Sequence, residues 1–157
     1  MEGSEARVCA LAIRPDKRAA LEERSSLQVT PTSGVVDDHG TGPRRHLTIL
    51  AQSQWQTVCQ QLGHDLPWTI RRANMLVSGI EFDAEWNGKT LSIGDVKLLV
   101  HGELTPCFRM EEQVSGLHDL LLPDWRGGVH CEVLDVGEIK IGDSLEIHDG
   151  ASDPASG

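Results

Sequence analysis

The chain has 157 residues and a formal net charge of −10 with a pI near 5.0. It therefore has room for one domain with one real core, and its summed field repels nucleic-acid phosphates and anionic lipid. Apolar residues make up 39% and charged residues 24%, a globular composition; no run approaches the ~20 apolar residues of a membrane helix, and Met1 to Ala20 carries no signal-peptide pattern. The expectation is a cytoplasmic protein with no nucleic-acid and no membrane partner.

In chain order, Ala6 to Ile13 reads as a strand buried on both faces and ended by Pro15. Asp16 to Arg24, charged and Ala-containing, suggests a helical excursion. Thr30 to Arg45 is dense in Pro, Gly, Asp and Thr and reads as a loop whose length is unusual inside a compact domain, where such loops are functional or disordered. His46 to Ala51 is the next strand. Ser53 offers an N-cap to a helix with Trp55, Val58, Cys59 and Leu62 at i, i+3, i+4 and i+7, and Gly63 stops it. That spacing puts Cys59 on the core-facing stripe, where a thiol is inert.

Arg71-Arg72-Ala73-Asn74 then offers either a cationic site or an edge strand with exposed charges. The second half is strand-rich: Met75 to Val77, Thr90 to Ile93, Val96 to Val100, Val129 to Val136 and Glu138 to Ile147 carry β-branched residues between glycines. A second helix is expected over Met110 to Leu122. The phrases GKTLSIGD (88–95) and GEIKIGD (137–143) both end in Ile-Gly-Asp, a pattern that suits the tight corners of small barrels and says nothing about chemistry. The whole reads as a single domain over 1–149 with a disordered tail, 150–157, low in hydrophobicity.

Four widely spaced cysteines without a CxxC pair give no zinc ribbon and no disulfide framework. Cys131 alternates with Val129 and Val133 and so belongs to the core, leaving His130 and Glu132 on the other face. Cys107 differs. It follows Pro106 in TPCFRMEE, between a strand and a helix, where a helix N-terminus and Arg109 would lower the thiol pKa. At ~4 Å and a dielectric of ~20 a unit charge is worth ~4 kcal/mol, and half of that brings a thiol of pKa ~8.5 to about 7. A buried cysteine in a strand-to-helix turn fits the same residues equally well. The stretch VDDHGTGPRRH (36–46) could hold an anion through Arg44, Arg45 and loop amides, or a metal through Asp37, Asp38 and His39; a solvated surface loop is the plainer reading. There is no Gly-x-Ser-x-Gly elbow, P-loop or dinucleotide fingerprint.

Taken in order, GVVDDHG, RRHLTIL, RRANMLVSGI, the 88–95 phrase, TPCFRMEE, WRGGVHCEVL and GEIKIGDSLEI resemble the MOSC family, named for the C-terminal domain of molybdenum cofactor sulfurases. The likeness runs from about Gly34 to Ile147, and the order of the phrases makes it specific. It implies a mostly β protein, a single compact barrel of pyruvate-kinase-barrel-like type with a few helical excursions. It further implies the molybdenum cofactor, a molybdopterin, with Cys107 as the catalytic residue that ligates molybdenum or carries sulfur. Arg72, Asn74, Arg109 and Arg126 would line the pocket for the phosphate-bearing pterin, with Asp38 and His39 nearby. Two departures stand out: the family's Gly-Asp is Asp37-Asp38 here, and the stretch from Cys107 to Trp125 is shortened. Without the aminotransferase module of the sulfurases, and without a flavin or iron-sulfur motif, no pyridoxal phosphate and no flavin are expected on this chain.

Three functions follow from the resemblance. The chain reduces N-hydroxylated or other N-oxygenated small molecules with electrons from a separate donor protein. Alternatively it is a persulfide sulfur transferase partnered by a sulfurase, or a non-catalytic carrier of the cofactor.

Overall fold

The computed structural model describes residues 6–16, 19–39, 45–106 and 109–148, with the side chain of Arg109 outside that set. Cys107, Phe108, Arg44 and the tail after His148 also lie outside it. Eleven strands are present among the described residues: β1 (Ala6–Ile13), β2 (Glu22–Arg24), β3 (Ser26–Thr30), β4 (Gly34–Val35), β5 (Leu47–Ala51), β6 (Met75–Ser78), β7 (Thr90–Ile93), β8 (Val96–Glu103), β9 (Val129–Val133), β10 (Gly137–Lys140) and β11 (Ser144–His148). Three α-helices accompany them: α1 (Gln52–Leu62), α2 (Arg109–Gln113) and α3 (Leu117–Leu121).

Seven strands close a mixed barrel in the order β1-β6-β5-β9-β8-β7-β11, and β11 pairs back onto β1. Closure removes the exposed edges that an open sheet would present. Only β5 and β6 run parallel among these pairs, joined through α1 as a crossover connection requires. β2 continues the sheet outside β1, and β10-β3-β4 forms a small second sheet. The expected β-barrel with helical excursions is thus the architecture found.

Alternation along the strands builds two cores. Leu47, Ile49 and Ala51 of β5, with Val129, Cys131 and Val133 of β9, point into the barrel, where Phe82 and Trp86 pack edge to face with centroids 4.8 Å apart. The opposite faces of β1, β5 and β6 present Ala12, Leu50 and Leu76 to Trp55, Val58, Trp68, Met110, Leu117 and Leu121. β5 is consequently buried at every position, which explains its unbroken apolar reading.

Several expected elements differ. Asp16 to Arg24 forms no helix among its described residues: Glu22 to Arg24 pairs with Leu11 to Ile13 as β2, because a neighbouring strand satisfies its backbone groups. α1 starts at Gln52 with Ala51 as an N-cap that makes no side-chain bond, and Ser53 instead donates its hydroxyl to Glu81 at 3.0 Å. Gly63 does end α1, in the left-handed conformation at φ 81. The Met110 to Leu122 helix is broken into α2 and α3 at Gly116, whose φ is 89. Arg71 to Asn74 is no edge strand, since Trp68–Arg71 is a 3-10 turn and Arg72 is left-handed. Finally, the long final strand is split by a turn at Gly142, where Asp143 accepts the Lys140 N–H at 2.9 Å. The repeated Ile-Gly-Asp phrases meet there: a Cβ on Gly94 would lie 3.1 Å from the Asp143 carboxylate.

Candidate functional site

The outer faces of β1, β6 and β5 carry a buried polar network where an apolar one would be ordinary. Its centre is Asn74, 1% exposed, just ahead of β6. The Asn74 Oδ1 accepts from the Thr48 N–H at 3.0 Å, the Thr48 hydroxyl at 3.3 Å and the Arg14 guanidinium at 3.4 Å. Its Nδ2 donates to the Ala12 carbonyl at 3.2 Å. One side chain therefore ties the end of β1 to β5 and sets the start of β6 between them.

Asp38 joins this network from the turn that follows β4. Arg14 grips its carboxylate with two nitrogens, Nη2 to Oδ2 at 2.8 Å and Nε to Oδ1 at 3.2 Å, and the Arg14 backbone N–H adds a bond of 2.7 Å. The Asp38 carboxylate is wholly buried, with 0% of its side chain exposed. A charge so placed is tolerable because a bidentate guanidinium and a backbone donor replace its water. The His39 N–H in turn donates to the Arg14 carbonyl at 2.7 Å, so the loop is stapled to β1. Asp37 takes the left-handed conformation at φ 69, a strained choice for a non-glycine.

The two adjacent arginines diverge. Arg72, left-handed at φ 62, sends Nη1 to the Ala19 carbonyl at 2.8 Å, on the β1–β2 connection. Arg71 is 6% exposed and reaches the other way, donating to the Leu104 carbonyl at 2.6 Å and the Gly127 carbonyl at 3.1 Å. Leu104 begins the short run into Cys107. That run is pinned again by the Leu104 N–H, which donates to the Gly128 carbonyl at 2.8 Å. A Cβ on Gly127 would stand 2.5 Å from the Leu104 carbonyl, 3.0 Å from Arg71 Nη2 and 3.5 Å from Pro106, so the Arg-Gly-Gly turn carries glycine because the Cys107 approach is packed against its backbone.

Arg126 turns to the helices, donating to Gln61 at 3.0 Å and the Leu120 carbonyl at 3.1 Å, with Asp124 at 3.8 Å. Arg72 and Arg126 therefore hold separate partners here, and among the described side chains the guanidinium packed against the run 104–106 is that of Arg71. Sequence reasoning chose Arg72 over its neighbour Arg71 and passed over Arg14 and Thr48. Their only signal was position: Arg71 lies three residues past the buried Trp68, and Arg14 and Thr48 sit on or beside strands read as apolar.

Beyond Thr48, the outer face continues through its cross-strand partner His130 on β9. The His130 ring stacks on His101 at 6.3 Å, and the His101 Nε2 lies 2.8 Å from the Glu132 carboxylate. His101 comes forward because the β8–β9 register slips between Val100 and Gly102. Of the other described cysteines, Cys9 on β1 is half-buried with its sulfur 3.8 Å from the Arg7 carbonyl, while Cys59 and Cys131 are buried packing residues. Cys131 is fully buried in the barrel and burial pushes its thiol far above the ordinary range; Cys59 is buried with its sulfur 3.9 Å from the Leu66 carbonyl. No group of three or more His, Cys, Asp or Glu is arranged to hold a metal ion among the described residues. The Asp37, Asp38 and His39 reading of a metal site accordingly has no support there, since Asp38 is spent on Arg14. No described helix is long and apolar enough to cross a membrane.

The profile of the MOSC domain matches residues 36–146. The chain belongs to the MOSC domain family. Its fold is similar to the crystal structure of the YuaD protein from Bacillus subtilis, at 20% identity and a TM-score of 0.82 over 92% of this chain and 96% of that one. YiiM from Escherichia coli aligns with a TM-score of 0.70 at 15% identity, over 90% of this chain and 69% of that one. YiiM from Geobacillus stearothermophilus gives 0.73 at 13% identity, over 91% and 75%. No curated protein matches the sequence. The matched residues of this MOSC domain take in the polar network except for its β1 side, Ala12 and Arg14.

Proposed function

We propose that this MOSC domain binds the molybdenum cofactor through Cys107 and reduces N-hydroxylated or other N-oxygenated small molecules, drawing electrons from a separate donor protein. The observation that carries this reading is the buried Arg71 guanidinium fastened to the Leu104 and Gly127 carbonyls at the base of the Cys107 approach. A cation placed there favours thiolate over thiol and anion over neutral ligand. The donor set suits the group: a soft thiolate for a high-valent metal, and guanidinium groups with loop amides for a pterin phosphate. Asn74 and Asp38 would serve it by holding the strands and the turn at Asp38 in place, with His39 beside them and Arg109 acting by charge; Arg72, bound to the Ala19 carbonyl, and Arg126, bound to Gln61 and the Leu120 carbonyl, would have to leave those partners to reach it.

When bound, the cofactor supplies two-electron redox chemistry. Overall, an N-hydroxylated base takes up two electrons and two protons and becomes the parent base plus one water, the N–O bond breaking and the oxygen leaving protonated. The chain's own part would be to present Cys107 from the end of the packed run 104–106, which Arg71 and the backbone of Gly127 and Gly128 hold in place.

Protein made in a host that synthesises the cofactor tests this directly. Stoichiometric molybdenum and pterin, with benzamidoxime reduced by reduced methyl viologen, are expected. A persulfide on Cys107 without metal would favour the sulfur-transfer alternative, and bound cofactor without turnover of N-oxygenated compounds would leave a carrier.

A further inference from the structure

A cavity of about 700 Å3 runs along α1, between that helix and the residues that follow it to Trp68. It shares no residue with the polar network around Asn74. Its floor is Trp55, Cys59, Trp68 and Leu76, all of them members of the buried layer beneath the helices. The size falls within the ~300–1,000 Å3 of small-molecule sites, and an apolar floor with a few polar groups is their usual construction.

Three features give the cavity a chemistry. The first is an unmet donor. Trp55 spends its indole N–H on the Leu66 carbonyl at 3.2 Å, whereas the Trp68 N–H makes no hydrogen bond among the described residues although Trp68 is only 9% exposed. Buried indole N–H groups ordinarily find an acceptor. The second is the wall: Gln52, Gln56 and Gln60 follow one another at i, i+4 and i+8 of α1, and their carboxamides make no hydrogen bond among the described residues. They offer donors and acceptors at regular spacing above two indoles. The third is charge. Among the described residues the lining holds no lysine or arginine, Asp65 contributes a carboxylate and His64 stands beside it. Indole faces and a carboxylate attract cations, and the net charge of −10 concentrates them.

We propose that this cavity is a binding site for a planar, cationic nitrogen heteroaromatic that carries a hydrogen-bond acceptor of carboxamide type. The ring lies against the tryptophans, its charge faces Asp65, and its acceptor and amide engage Trp68 and the glutamines. The site does not depend on the molybdenum reading, because none of its lining residues is assigned to the cofactor.

One scaffold in three charge states tests this. Full-length protein is titrated with 1-methylnicotinamide, nicotinamide and nicotinate while the four indole N–H signals are followed by NMR. Saturable shifts of the Trp68 and Trp55 signals are expected, with Trp86 and Trp125 unmoved. The cation should bind at least about fivefold more tightly than the neutral amide and more than about tenfold more tightly than the anion. Gln56 is exposed, so changing it spares the fold. Gln56→Glu should strengthen binding of the cation severalfold and Gln56→Arg should weaken it at least about fivefold. Absence of a saturable shift at Trp68, equal affinity for cation and anion, or indifference to Gln56→Arg would each overturn the proposal.

Discussion

On the inside of the barrel wall, Leu47, Ile49 and Ala51 of β5 join a continuous apolar cluster, while on the outside of the same strand Thr48 sits in a net of hydrogen bonds with Asn74. The inner face needs shape and volume, so many sequences would serve it. The outer face needs particular donors and acceptors at particular places, because each buried polar group left unmet costs about 1–3 kcal/mol. The specific chemistry of this fold is thus invested outside the barrel, where loops and turns from distant parts of the chain come together over the sheet.

The largest effect should come from breaking the buried ion pair. Asp38→Ala leaves the Arg14 guanidinium largely buried without its carboxylate, and such losses cost about 3–5 kcal/mol; urea unfolding measures it. An apolar double replacement, Arg14→Met with Asp38→Leu, should cost clearly less than the two single changes summed, whereas additivity would mean that the pair does not act as a unit. Next comes Gly127→Ala. Its Cβ would meet the Leu104 carbonyl at 2.5 Å, so a loss of about 1–3 kcal/mol is expected together with weaker cofactor retention, because the Cys107 approach must move. Unchanged stability and unchanged molybdenum content would separate this turn from the site.

Thr48→Val removes one hydroxyl from the network and should cost about 1 kcal/mol. The inner neighbours of Thr48 allow a control: Ile49→Val, a pure volume change on the inner face, should cost about 0.5–1.5 kcal/mol and leave cofactor binding untouched. If the inner change alters cofactor content more than the outer one, the division between the two faces is wrong.

The strands were legible because inward residues alternate with outward ones: Val129, Cys131 and Val133 separate cleanly from His130 and Glu132. α1 was legible because Gly63 and the spacing of Trp55, Val58 and Cys59 agree. The network was not legible, since nothing local in Arg14, Thr48 or Arg71 announces burial. Arg14 and Asp38 are 24 residues apart, and Asn74 reaches across 62 residues to Ala12. The family resemblance supplied Asn74 and Asp38 as residues of interest, and the structure supplies what each holds. The break at Gly116 was readable in principle, because a left-handed glycine commonly ends a helix.

A smaller effect concerns thiols. The sequence puts Cys9 on an apolar face with Cys59 and Cys131, but the structure leaves Cys9 half-buried, so brief iodoacetamide treatment of folded protein should label Cys107 and spare Cys59 and Cys131, which are buried in the two apolar layers. Peptide mapping reads the outcome, and labelling of Cys131 as fast as Cys107 would contradict the account of the barrel interior.

The most direct test of the central claim is Cys107→Ser, with melting temperature and bound molybdenum measured side by side on wild type and variant from a cofactor-competent host. Serine is close in size, so stability should stay within about 0.5 kcal/mol. Molybdenum should be lost, because an alkoxide is a harder and far more basic ligand than a thiolate. A large drop in melting temperature with molybdenum retained would make Cys107 a packing residue and contradict the assignment.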